Sequence, residues 1–294
     1  MQAIGGKAGS YFGRRHFAAI WAAPTAVLFG FWLWAAFSSG AYLQRQWLPI
    51  GVALGLFGFM ISYLVAYPRR PRQLSSVVLG VFALYSLWVT ASTLWAASSH
   101  HAWFESGRTF LYLLFFCLAL LYLTDRKARA AFRYLLMGAA FVILVASVIR
   151  LWTAGDPSSL FFANRFAYPS TYPNNSAALF LLAFWPLMWL AAGPEEKAPV
   201  RGVALGLATG LVGLAFFTQS RGAVWSLAIT LILTFIVSPA RLRTLFYLLV
   251  PSLLMVYEFP LLNRYWLDGP EKTGGGLAAR TVVVAAIAAA FIGT

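Results

Sequence analysis

The sequence predicts an all-α, polytopic membrane helical bundle with about ten transmembrane helices, forming a single transmembrane domain over residues 1–294. Three observations predict it. Hydrophobic residues make up 61% of the chain, charged residues 10%, and mean hydropathy is +0.75, whereas a soluble domain carries about 25% charged residues. Apolar runs long enough to cross a hydrocarbon core of about 30 Å recur along the whole length. Runs such as 111–123 are apolar on every face, which fits spanning helices and not the alternating pattern of a membrane β-barrel.

Taken in order, the predicted spans are 17–37, 47–67, 77–97, 109–124, 132–152, 176–192, 200–218, 223–237, 244–257 and 277–292. Residues 1–16 form a basic arm, and the run that follows is long enough to stay as a first span, so no cleavable signal is expected. The second span carries Gly51, Gly55 and Gly58, and the seventh carries Gly202, Gly206, Gly210 and Gly213. Small residues at this spacing let helices approach closely through van der Waals contact. Cys117 lies in an apolar run, is the single cysteine, and packs as a small hydrophobe. The 12 Trp, 13 Tyr and 25 Phe suit interfacial belts and helix packing. No soluble domain and no internal repeat stand out; the longest polar connections are 156–175 and 258–276.

With these spans the basic residues divide between two sides. Fourteen (Lys7, Arg14, Arg15, Arg69, Arg70, Arg72, Arg126, Lys127, Arg129, Arg133, Lys197, Arg201, Arg241 and Arg243) share the side of the N-terminus. Eight (Arg45, Arg108, Arg150, Arg165, Arg221, Arg264, Lys272 and Arg280) face the other. The positive-inside rule then puts the N-terminus in the cytoplasm. The net charge of +14 sits in short loops between apolar runs. It therefore signals topology and attraction to anionic membrane lipid, with no nucleic-acid partner.

The inner basics cluster, as in Arg69-Arg70-Pro71-Arg72, while the outer ones are mostly solitary and close to span ends. An unpaired charge there needs a reason. Arg165 opens the polar, proline-punctuated segment Arg165-Phe-Ala-Tyr-Pro-Ser-Thr-Tyr-Pro-Asn-Asn-Ser176, and Arg221 lies in Gln219-Ser220-Arg221-Gly222 one pair of helices later. A guanidinium stays charged at physiological pH and makes forked hydrogen bonds to phosphate oxygens. Two such groups at one lipid–water boundary suit a lipid-linked diphosphate; the bland alternative is an arginine snorkelling to the headgroups. Pro169 and Pro173 are expected to prevent helix in the first loop. Asn174, Asn175 and Ser176 are expected to cap the helix that follows, and the three also spell a glycosylation sequon abutting a span. Ser220 and Gly222 hold Arg221 in a tight turn.

A third candidate is the connection 100–108, with His100, His101, Glu105 and Arg108. Glu105 and Arg108 are spaced to pair on one helical face, Arg108 is a weaker candidate for diphosphate binding, and Glu105 is a candidate general base. The alternative is an interfacial loop with polar residues. No Asp-x-Asp pair, phosphate-binding glycine loop or zinc-ligand spacing occurs, so neither a metal nor a cofactor is expected. The eight acidic residues all fall outside the centres of the predicted spans, which argues against ion-coupled transport.

On these motifs the chain resembles the O-antigen ligase/polymerase superfamily of bacterial membrane glycosyltransferases. The resemblance rests on Arg165 followed by Pro173-Asn174-Asn175-Ser176-Ala177, on Ser220-Arg221-Gly222-Ala223 after the next long helix, and on 103–123 as an early outer loop and span. It implies transfer of a glycan from an undecaprenyl-diphosphate carrier to a lipid or glycan acceptor at the outer face of the cytoplasmic membrane. Arg165 and Arg221 are the positions implied to contact the diphosphate, in cell-envelope polysaccharide or lipopolysaccharide synthesis. The family continues through a large outer loop with a catalytic histidine and further spans, so 1–294 is expected to be the N-terminal part of a longer family fold. His100 and His101 lie too early to match that histidine. A transporter or flippase of lipid-linked saccharide, or a non-catalytic membrane scaffold, is the alternative.

Overall fold

A computed structural model of the chain describes residues 26–64, 73–122, 126–238 and 241–294. The basic residues Lys7, Arg14, Arg15, Arg69, Arg70 and Arg72, and the span ends 17–25, 65–67 and 123–124, lie outside the described residues. The helices are α1 (Ala26–Phe37), α2 (Gln44–Leu64), α3 (Gln73–Ala91), α4 (Ser99–Tyr122), α5 (Arg126–Thr153), α6 (Pro173–Ala192), α7 (Ala198–Phe217), α8 (Arg221–Val237), α9 (Arg241–Asp268), the short α10 (Pro270–Thr273) and α11 (Gly275–Gly293). The described strands are β1 (Phe161–Phe162) and β2 (Arg165–Phe166), one small antiparallel hairpin. The protein is thus all-α in class. Seven helices among the described residues are long and apolar enough to cross a membrane, and α1 and α8 are shorter apolar helices. The chain is a multi-pass membrane protein.

Two compact units can be distinguished, one holding the residues up to Ala35 with Ala41–Leu135, the other Ala36–Gly40 with Leu136–Thr294. In the first, α4 packs against α2 and α3. The edge of the Trp47 ring occupies the space a side chain at Gly107 would fill, and Leu118 does so at Gly58. Thr90 and Ser106 share a 2.6 Å hydroxyl hydrogen bond between α3 and α4, the kind of polar contact that joins helices inside a membrane. The rest of α3 stays bare, with Leu84 68% and Trp88 65% exposed. In hydrocarbon such a surface needs no cover, since lipid tails are as apolar as leucine.

The second unit is built around α7, buried on nearly all sides from Ala204 to Ala215. Its glycines explain why. A Cβ at Gly202 would sit 2.5 Å from the Ala290 carbonyl oxygen, and one at Gly206 2.6 Å from that of Ala286. Backbone therefore meets backbone along α7 and α11, as the glycine spacing predicts. On the other flank, Trp185 Nε1 of α6 donates to Thr230 Oγ1 of α8 at 2.8 Å.

Three predicted boundaries need correction. Residues 100–108 are the first turns of α4, not a connection. The polar stretch 258–276 is largely helical, because α9 runs on to Asp268 with Pro251 and Pro260 inside it. Glu258 accordingly lies within a candidate span, which overturns the expectation that every acidic residue avoids span interiors. Finally, α6 begins at Pro173, where proline opens the helix instead of preventing it. Its missing N–H is not needed at the first helical position.

Candidate functional site

The site begins with a two-residue turn. Ala163 and Asn164 both adopt left-handed φ, +50° and +61°, the handedness that matches the twist of a tight hairpin. Successive strand side chains point to opposite faces, and the hairpin uses this to separate Phe166 from Arg165. Phe166 is fully buried and stacks on Phe180 at 6.3 Å. Arg165 goes the other way and binds two distant elements. Its Nε donates to the Thr218 carbonyl at 2.9 Å, and its Nη2 donates to Asn174 Oδ1 at 2.8 Å.

Thr218 is the C-cap residue of α7. Carbonyls at a helix C-terminus lack intrahelical partners and carry partial negative charge, so a guanidinium is a natural terminator. Arg165 thereby fastens the first candidate loop to the second. Its Nη1 makes no hydrogen bond among the described residues. Three residues beyond Thr218, Arg221 is exposed at the first position of α8, with no hydrogen bond or ion pair among the described residues. The intervening turn is held firmly. Gln219 is left-handed at φ +50°, its Nε2 donates to the Asn164 carbonyl at 3.4 Å, and Ser220 Oγ caps α8 by accepting from Ala223 N–H at 3.3 Å.

Asn174, Asn175 and Ser176 do not cap α6, because Tyr172 is its N-cap residue and makes no side-chain cap. Each does something else. Asn174 receives Arg165, Asn175 is exposed beside Gly40, and buried Ser176 donates to the Ala167 carbonyl at 2.6 Å while bonding Ser170 Oγ at 2.9 Å. The loop is thus stitched from inside by serines and from outside by an arginine.

Further helix ends close around it. Tyr265 of α9 is fully buried, stacks on Phe161 at 5.5 Å, and donates its hydroxyl to the Gly274 carbonyl. Arg150 lies 5.9 Å over the Tyr168 ring and Arg280 lies 5.2 Å over Trp152. Burial pushes the Tyr168 phenol up, with Arg150 opposing it. Asp156, which caps the short helix Pro157–Leu160, is held below the usual carboxylate range by the hydroxyl and backbone N–H of Ser158. Arg150, Arg165, Arg221 and Arg280, four of the solitary basics, therefore stand at one end of this unit. Beneath the α7–α8 turn, α6, α7, α8 and α9 line a half-open apolar groove of about 600 Å³, bordered by Trp185, Phe216, Leu227, Leu231, Met255 and Phe259 among others.

In the first unit Glu105 and Arg108 pair as predicted, at 2.9 Å. Arg108 also donates to the Tyr112 hydroxyl at 3.2 Å and lies 4.9 Å over the Tyr42 ring. His100 and His101 are exposed on the opening turn of α4. Among the described residues, no three His, Cys, Asp or Glu side chains gather to hold a metal.

The residues that sequence reasoning missed are the Thr218 carbonyl, Gln219, Tyr265 and Glu258. Backbone acceptors leave no trace in side-chain chemistry. Glu258 did leave one, as a lone acid followed two residues later by a proline in a strongly apolar run. No family model, curated protein or solved structure matches the chain.

Proposed function

We propose that the chain belongs to an integral-membrane glycosyltransferase, a ligase or polymerase. It moves a glycan from an undecaprenyl-diphosphate carrier to a lipid or glycan acceptor at the outer face of the cytoplasmic membrane. The charge asymmetry of the loops supports an N-terminus on the inside. Adding α1, α2 and α8 to the seven long apolar helices gives about ten spans.

The observation that carries this reading is Arg165, fixed to Asn174 and to Thr218, which lies three residues before Arg221, while its Nη1 and the Arg221 side chain make no hydrogen bond among the described residues. A diphosphate would accept from Arg165 Nη1, from the Arg221 guanidinium and from the N-terminal turn of α8. The acceptor hydroxyl attacks the anomeric carbon, and the bond from that carbon to the diphosphate oxygen breaks. The carrier diphosphate leaves with the bonding pair, and a base takes the hydroxyl proton. Cations already aimed at the departing diphosphate stabilise its charge without reorganising. The apolar groove below the α7–α8 turn suits the polyprenyl chain.

Transfer by the full-length protein in membranes tests the reading. Arg165→Ala and Arg221→Ala should each abolish product while leaving expression intact. Unaltered transfer by both variants would overturn it. One observation favours a second reading: Glu258, buried inside α9, removes the objection to an ion-coupled flippase. Translocation of a labelled lipid-linked saccharide in vesicles, without any glycan transfer, would select that alternative.

A further inference from the structure

Glu258 is the group that the proposed transfer chemistry leaves unused. Its side chain is 3% exposed, and among the described residues neither Oε1 nor Oε2 has a hydrogen-bond partner. It points at α7, where a Cβ on Gly213 would stand 3.0 Å from Oε2, and Val282 of α11 borders the same space. The glycine stripe of α7 therefore has a second use at its last member, which makes room for a carboxyl group instead of a helix backbone. Gly213 lies five residues before Thr218, roughly 7.5 Å along the helix axis. Pro251 and Pro260 interrupt the hydrogen bonding of α9 on either side of Glu258.

Among the described residues, no neighbouring element supplies a countercharge. α6 has no ionisable residue. The sole one on α7 is Arg201, twelve residues before Gly213. On α8 it is Arg221, exposed at the first position of that helix, and on α11 it is Arg280, which is turned over Trp152. Arg165 of the hairpin is bound to Thr218 and Asn174. Glu271 and Lys272 of α10 are exposed beyond the end of α9. On α9 itself Arg241, Tyr257, Arg264 and Asp268 are exposed, Arg243 and Tyr247 are half-buried near its start, and buried Tyr265 is engaged with Gly274.

We propose that Glu258 is a proton-binding site at the junction of α7, α9 and α11, and that the packed junction is the protonated form. An isolated carboxylate without donors is very costly to bury, whereas a neutral carboxyl is far less so. A metal cation would need several oxygen ligands, and Glu258 has no acidic, histidine or cysteine cluster around it among the described residues. A proton needs one group alone. Loss of that proton leaves a charge against Gly213, and the segment between the two prolines must move to let water reach it. The inference rests on this junction alone and holds whether the protein transfers glycans or flips them.

The experiment is carbodiimide labelling of the full chain in lipid nanodiscs, with each carboxylate quantified by peptide mass spectrometry. Apolar dicyclohexylcarbodiimide reacts with a protonated carboxyl inside a membrane. The carboxyl oxygen adds to the carbodiimide carbon, the proton passes to nitrogen, and rearrangement leaves a stable acylurea with nothing expelled. Glu258 should be labelled, with labelling falling about tenfold per pH unit once the site discharges. A water-soluble carbodiimide should reach exposed Glu105 and Glu271 but spare Glu258. A Glu258 that the apolar reagent leaves untouched at every pH would overturn the proposal, as would one that the soluble reagent labels as fast as Glu271. Glu258→Gln supplies the second measurement. Since the fold holds the neutral form, wild-type thermal stability should fall as pH rises, and the glutamine variant should lose that dependence. Identical pH profiles for the two proteins would also overturn it.

Discussion

Arg108 lies in α4 and Arg165 in the hairpin between α5 and α6, and their surroundings differ in kind. Arg108 finds its partners on its own helix, Glu105 three residues back and Tyr112 four residues on, and covers the Tyr42 ring. Arg165 reaches residues 9 and 53 positions away and joins three pieces of chain. The first arrangement consumes the charge locally. The second spends one edge of the guanidinium on the fold and leaves Nη1 without a hydrogen bond among the described residues. A cation becomes available to a ligand when its anchoring comes from backbone and amide oxygens, which hold it in place without neutralising it.

The largest effect that separates the two is expected at Arg165. Arg165→Ala should weaken binding of a polyprenyl diphosphate by roughly a hundredfold, on the order of 3 kcal/mol, because it removes a charged contact and releases the loop. Arg165→Lys should restore little, since an ammonium cannot fork between Thr218, Asn174 and a phosphate. Titrating the lipid into each variant in nanodiscs checks both. Arg221→Ala should cost about tenfold in the same titration, with the difference shrinking as salt is raised, because that side chain is exposed. Equal losses at low and high salt would mean that Arg221 acts through the turn and not as a charge.

Smaller effects follow in the first unit. Arg108→Ala should leave diphosphate binding unchanged and shift stability by about 0.5 kcal/mol, the worth of a helical ion pair at partial exposure. Smallest of all is Asp156→Ala. The Asp156 carboxyl is held below the usual carboxylate range by Ser158, so its contribution is complete above the ordinary aspartate value. It fades as pH falls through the depressed one. Thermal melts of wild type and Asp156→Ala should therefore differ slightly near neutrality and converge in acid.

The same contrast shows what was legible in the sequence. The Glu105–Arg108 pair could be read because it obeys helical spacing, and the close packing of α7 because glycines recur at helical intervals, although α11 as its partner could not. That Arg165 is an unusual cation was readable from an isolated charge beside prolines. Its partner was not, since the Thr218 acceptor is a backbone carbonyl, and any residue there would offer the same oxygen. Boundary errors centred on prolines and polar residues. Pro173 was read as a breaker but opens α6. The span 244–257 already held Pro251 but was ended one residue before Glu258, whereas α9 continues through Glu258 and Pro260. That early end assigned Glu258 to a loop.

The most direct test of the central claim is binding of undecaprenyl diphosphate to the full chain in nanodiscs, followed by native mass spectrometry. Wild type should retain one lipid through buffer exchange, Arg108→Ala should behave like wild type, and Arg165→Ala/Arg221→Ala should retain none. Equal retention by the double variant and wild type would contradict the account.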